Sequence, residues 1–117
     1  MRELGIDPPP KQPLTSWAPW SQWFQRLRES LAKTQTFTAT LDPTSVSANT
    51  TDEQTFTVEG LSTSDIVYVN KPTHQTGLGI VNCRVSAADT LAITFGNYTG
   101  SPIDPSSEDY FITAIRR

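Results

Sequence analysis

Few side chains in this 117-residue chain stand at spacings that catalysis uses. The one histidine, His74, lies in Pro72-Thr-His-Gln-Thr76, where no nearby residue in sequence would orient its ring as a general base requires. A solvated loop histidine is expected. The one cysteine, Cys83, alternates with Val81 and Val85, which reads as a small buried hydrophobe. A nucleophilic thiolate needs positive charge beside it, and Arg84, the next residue along a strand, points to the opposite face. Asp52-Glu53 and Asp104…Glu108-Asp109 offer hard oxygen ligands, but neither shows the DxDxDG spacing of a calcium loop. Gly77-Leu-Gly79 opens a strand rather than a helix, so it is no phosphate cradle. Asn49-Thr-Thr51 and Asn97-Tyr-Thr99 match the glycosylation acceptor pattern, and without a secretion signal they read as chance products of a Thr-rich chain. Zinc spacings, Ser-centred elbows and paired carboxylates at helical spacing are all missing from the sequence. The expectation is a protein that is not an enzyme, with no metal and no cofactor.

Composition narrows the classes further. Nine Lys and Arg against twelve Asp and Glu leave a net charge of −3, which disfavours a nucleic-acid partner. Hydrophobic residues make up 36%, and hydroxyls fill the shortfall, with 17 Thr and 11 Ser. A single cysteine excludes a disulfide framework within the chain. No apolar run approaches the ~20 residues that span a bilayer. The start, MRELGIDPPPKQP, lacks the apolar stretch of a signal peptide. A cytosolic or cell-released protein is expected, with no membrane partner.

The elements that would position any site divide near residue 34. Residues 1–33 hold five of the nine prolines, all three tryptophans and a local charge of +2, from five basic and three acidic residues. Residues 34–117 hold four basic and nine acidic residues, a charge of −5. Asp7-Pro-Pro-Pro-Lys-Gln-Pro13 cannot enter a helix or a sheet ladder, so a Pro-rich extended arm is expected. A short amphipathic helix should follow, with Pro19 at its first position. Trp17, Trp20, Phe24, Leu27 and Leu31 then recur at steps of 3, 4, 3 and 4, an a/d pattern that Trp23 widens. Two heptads do not stabilise an isolated helix in water. Either this stripe packs on the chain's own sheet or it packs against copies of itself or another protein. Large aromatics of this kind carry interface binding energy.

From Thr34 the apolar period changes to two. Phe37, Ala39 and Leu41 alternate with threonines, and Phe56 and Val58 repeat the pattern. Runs at 66–69, 78–85, 90–95 and 110–115 are rich in β-branched and aromatic residues. Turn signals separate them at Asp42-Pro43, Glu59-Gly60, Asn70-Lys-Pro72, Ser86-Ala-Ala-Asp89 and Gly100–Pro105. The fold class expected is mainly β: a small antiparallel β-sandwich or barrel of six or seven strands over 34–117. A core of some 80 residues is small, and oligomerisation is the simplest further source of stability.

The second half also resembles a known module. Asp65-Ile-Val-Tyr-Val-Asn-Lys-Pro72, Thr76-Gly-Leu-Gly79, Arg84-Val-Ser-Ala-Ala-Asp-Thr90, Thr94-Phe-Gly-Asn97, Ile103-Asp-Pro105 and Tyr110-Phe-Ile-Thr-Ala-Ile115 carry the likeness. Together they resemble a small β module at the C-terminus of many tailed-phage virion structural proteins, over about two-thirds of this chain. Lys71 before a single proline departs from that pattern, as does Cys83 where a small residue is usual. Related chains also carry a Trp-rich helix of the form seen in Trp20-Ser-Gln-Trp-Phe-Gln-Arg-Leu27.

The resemblance implies a non-enzymatic virion protein, assembled in the host cytoplasm and built as a homotrimer. A short fibre or fibre-adaptor at the head–tail junction or tail is the first expectation, anchored to other virion proteins (adaptor, portal, tail or capsid) through Trp17, Trp20, Trp23, Phe24, Leu27 and Leu31. A capsid cement protein on the shell is the alternative. A host-surface carbohydrate-binding module is the second, with Tyr68, Tyr98 or Tyr110 as a stacking platform.

Overall fold

The computed structural model describes Pro9 and residues 17–117, with the side chains at 17, 18 and 29–32 outside the description. The Pro-rich arm expected over the first residues lies outside the described residues. The order of elements is α1 (Trp17–Ala32), β1 (Thr34–Leu41), β2 (Thr50–Thr57), β3 (Asp65–Asn70), β4 (Leu78–Ala87), β5 (Thr90–Asn97) and β6 (Glu108–Arg116). The chain divides into two compact units after Gln35. The helix starts two residues earlier than Pro19 suggested, so this proline sits inside the first turn. It is tolerated there because the first four N–H groups of a helix have no intrahelical partner to lose.

All six strand signals form strands, and they make two three-stranded antiparallel sheets, β1-β6-β3 and β2-β5-β4. The two layers pack as a small sandwich, and the barrel expectation is not met, since the sheets do not close on each other. The core is what alternation dictates: Leu41, Val58, Val67, Val85, Leu91, Ile93, Phe95, Ile112 and Ala114 are all buried. Phe37, Ala39 and Phe56 pack against them from the edge strands. Strand β5 is central in its sheet and is buried on both faces, because Ala92 and Gly96 leave no bulk on the outside.

Alternation breaks at two places on β4, at Val81 and at Ser86, where the pairing with β5 shifts. Ile80 pairs with Phe95 and Asn82 with Thr94, so Val81 is an extra residue in a β-bulge. Val81 is therefore turned out and 51% exposed, while Cys83 and Val85 return to the inner face. The reading that set Val81 with Cys83 and Val85 is corrected by this one inserted residue.

The loops are stitched by a few side chains and one glycine. Asp89, in the left-handed conformation at φ 58°, ends the two-residue β4–β5 turn. Its N–H donates to Leu61 O at 2.9 Å, its carbonyl accepts from Val58 N at 2.9 Å, and its carboxylate accepts from Gly60 N at 2.8 Å. One aspartate thus ties the β4–β5 turn to the β2–β3 loop. Gly77 has φ 81°, and a Cβ there would lie 2.2 Å from Thr99 Cγ2, so both conformation and space require glycine. Asp65 caps its own loop by accepting from Ser62 N at 2.9 Å and pairs with Arg116 across the β3–β6 ladder.

Candidate functional site

The chemical candidates of the sequence fall at separate places in the β unit. His74 is exposed in the β3–β4 loop, as expected of a solvated histidine. Cys83 is half-buried, and its thiol donates to Val67 O at 3.3 Å, with burial pushing its pKa up. That is the opposite of a thiolate nucleophile.

The two acidic clusters fall apart: Asp52-Glu53 lies on β2, Glu108-Asp109 on β6 of the other sheet and Asp104 exposed in the β5–β6 loop, and each of the four strand acids has its own partner. Glu53 accepts two parallel bonds from Arg84 Nε and Nη2, both 2.9 Å, and the guanidinium holds its pKa down. Glu108 accepts from Lys71 Nζ at 2.9 Å and from Thr73 Oγ1 at 2.8 Å, and Lys71 first and then Thr73 hold its pKa down. Asp109 accepts from Thr40, and Asp52 from Gln54. Among the described residues no three His, Cys, Asp or Glu side chains come together around a metal-sized site.

Lys71 is the cationic partner of Glu108 in this pair. Its side chain is only 9% exposed and Glu108 only 12%, so the ion pair is largely enclosed, with Thr73 completing it.

Of the residues expected at an assembly surface, all six lie in α1. The side chains of Trp17 and Leu31 lie outside the described residues. Trp20, Trp23 and Phe24 form one aromatic cluster: Trp20 and Trp23 meet edge-to-face at 5.6 Å, Trp23 and Phe24 at 5.0 Å, and Trp20 and Phe24 at 5.8 Å. The helix brings them together because residues three and four apart share a face. Leu27 continues the face by one turn and is half-buried. Phe24 leaves 46% of its surface exposed. With Ser21, Gln25 and Arg28 it lines a hollow of about 410 Å³. No helix among the described residues is long and apolar enough to cross a membrane.

The tyrosines separate sharply. Tyr68 is 60% and Tyr98 71% exposed, but Tyr110 is wholly buried and cannot be a stacking platform. It occupies an inward position of β6 with Ile112 and Ala114. In the sequence no one loop gathers aromatics with amides. The fold makes such a place from two segments distant in sequence. Asn49, Thr50 and Thr51 at the start of β2 meet Asn97 and Tyr98 at the end of β5, around a groove of about 270 Å³. The register of β2 against β5, Thr50 to Asn97 and Thr51 to Gly96, produces the juxtaposition.

Asn97 also answers the glycosylation question for its own motif. Its side chain is 1% exposed and its amide nitrogen already donates to Val46 O at 3.0 Å and Ser101 O at 2.8 Å, so it presents no acceptor to a transferase.

Compared with known proteins, the chain matches no protein family, no curated protein and no solved structure.

Proposed function

We propose that this protein is a non-enzymatic virion structural protein of a tailed phage, a homotrimeric short fibre or fibre-adaptor anchored through α1. The observation that carries the reading is the aromatic cluster of Trp20, Trp23 and Phe24 on a 16-residue helix, with nearly half of Phe24 open. A helix of that length does not hold itself together in water, and three copies of an a/d face close a stripe that one copy leaves open. The residues that resemble the phage module support the reading in a specific way. Asp65, Gly77, Asp89 and Asn97 are turn, cap and loop-stitching residues, so the motif describes a scaffold rather than a reaction centre. Function then falls to surfaces. The β unit is acidic and hydroxyl-rich, suited to facing outward, while the tryptophan-bearing segment is basic. A cement protein on the capsid shell uses the same anchor and differs in copy number.

Sedimentation of the purified chain tests the assembly half, with the expected species about three times 12.9 kDa. The double variant Trp20→Ala, Trp23→Ala should sediment as a monomer and keep the β-sheet circular dichroism of the parent. A stable wild-type monomer at micromolar concentration sinks the trimer. Mass spectrometry and cryo-EM of purified particles test the virion half. Copies in the tens favour a fibre, copies in the hundreds favour cement, and absence from the particle overturns both.

A further inference from the structure

The groove at the joined ends of β2 and β5 has the makings of a ligand site that the assembly reading does not use. Its aromatic wall, Tyr98, is 71% exposed, and its neighbours restrict where the ring can lie. The ring lies over Gly96: a Cβ at that position would stand 3.0 Å from Tyr98 Oη and 3.2 Å from Cε2. The same Cβ would meet Val81 Cγ2 at 2.8 Å, so the bulged Val81 and the tyrosine flank the glycine together. A large side chain in that space would push the ring away, so glycine at 96 is what lets the aromatic face lie along the strand. Holding a rigid aromatic before a ligand arrives cuts the ordering cost of binding.

The polar wall complements it. Asn49 sits in the left-handed region at φ 53°, and its N–H is fixed to Thr99 O at 3.0 Å, which sets where its side chain starts. Its amide and the Thr51 hydroxyl make no hydrogen bond among the described residues, whereas Asn97, in the wall behind, is fully used. No lining residue is charged. A groove of about 270 Å³ with one flat apolar face, a primary amide and hydroxyls suits a small neutral ring that has one C–H face and a rim of hydroxyls.

We propose that this groove binds a single neutral pyranose residue of a glycan, stacked on Tyr98, with Asn49 and Thr51 bonding its hydroxyls. Every lining residue lies in the β unit and none in α1, the helix on which the assembly reading rests.

Titration of the ¹⁵N-labelled full chain with a panel of methyl pyranosides tests it: glucoside, galactoside, mannoside and N-acetylglucosaminide, with glycerol and sodium glucuronate as controls. At least one neutral pyranoside should move the amide signals of Asn49, Thr51 and Tyr98 in a saturable way, at millimolar affinity. Glycerol should leave them in place, and glucuronate should bind more weakly than the matching neutral sugar. Tyr98→Ala should weaken binding tenfold or more. Thr51→Val, an exposed change that does not disturb the fold, should weaken it several-fold, which keeps the test decisive if the tyrosine variant misfolds. The proposal is overturned if no pyranoside moves these signals, if glycerol moves them equally, or if both variants bind like wild type. Because binding is read on purified protein, failure here leaves the trimer and the virion assignments standing, and their failure leaves this one.

Discussion

Asn97 Nδ2, at the last residue of β5, donates to the carbonyl of Val46, fifty-one positions earlier in the chain, at 3.0 Å. The same nitrogen reaches Ser101 O at 2.8 Å, while Oδ1 accepts from Thr99 N at 2.9 Å and Thr99 Oγ1 at 2.8 Å. One buried amide therefore satisfies both long loops of the sandwich, β1–β2 and β5–β6, which also meet in the Val46–Ile103 bridge. Two glutamines work in the same way. Gln54 exchanges bonds with Thr44 N and O, and Gln75 with Ser106 N and Asp104 O. In each case a side-chain amide replaces the ladder partner that an irregular segment lacks.

Removing Asn97 should therefore be costly. Asn97→Ala leaves Thr99 N without its acceptor and removes one of two bonds from each of the Val46 and Ser101 carbonyls, and a loss of about 2 kcal/mol is expected. Urea unfolding of the variant measures it. A loss under 1 kcal/mol would mean that water replaces the amide.

Tyr110 should respond in the opposite direction. Its hydroxyl is buried without a hydrogen-bond partner among the described residues, and burial, then Glu108, pushes its pKa up to about 12. Tyr110→Phe removes an unsatisfied polar group while keeping the ring, so stability should rise by about 1 kcal/mol. Thermal melts of the two proteins decide this, and a fall in the midpoint shows that the hydroxyl has a bond in solution.

Acid should weaken the fold through Glu108 and Glu53. Both carboxyls have folded-state pKa values held below the ordinary 4.5, by Lys71 and Arg84 respectively. Their contribution is fully present above that ordinary value and disappears as pH falls through the lower folded values. Melting midpoints should be flat from neutral down to about 5 and drop below it, with a smaller drop in Glu108→Gln. Salt separates the two pairs. Arg84–Glu53, at 55% and 36% exposure, should weaken in 1 M NaCl, whereas the enclosed Lys71–Glu108 pair should not.

Cys83 should label slowly. Its thiol is half-buried against the core and its pKa is raised by that burial, so at pH 8 a bulky maleimide should react far more slowly than with the unfolded chain. Cys83→Ala should cost about 1 kcal/mol, as the loss of a small packed group does. Rapid labelling of the native protein would place the thiol on the outer face.

Much of the architecture was legible before any coordinates, because strand faces and helix faces are local properties. The period of two puts Phe37, Ala39, Leu41, Phe56 and Val58 on the core side regardless of partners. The steps of 3 and 4 put Trp20, Phe24 and Leu27 on one helix face, and the change at Thr34 marks where β1 begins. Turn chemistry likewise announced Asp89 and Gly60, whose left-handed conformations few other residues accept.

Tertiary structure decided what depends on pairing register and on contacts between distant segments. Nothing local distinguishes Tyr110 from Tyr98, yet one is walled in by the sandwich and the other lies open at its end. The bulge that turns Val81 outward exists only relative to β5, since an inserted residue has meaning only against a partner strand. Val46, in an irregular loop, becomes a core residue because Ile103 and Asn97 supply the bonds its backbone lacks. The groove between Asn49 and Tyr98 arises in the same way. Forty-five positions separate Thr51 from Gly96 in sequence, and the β2–β5 register, which no local pattern encodes, sets them side by side.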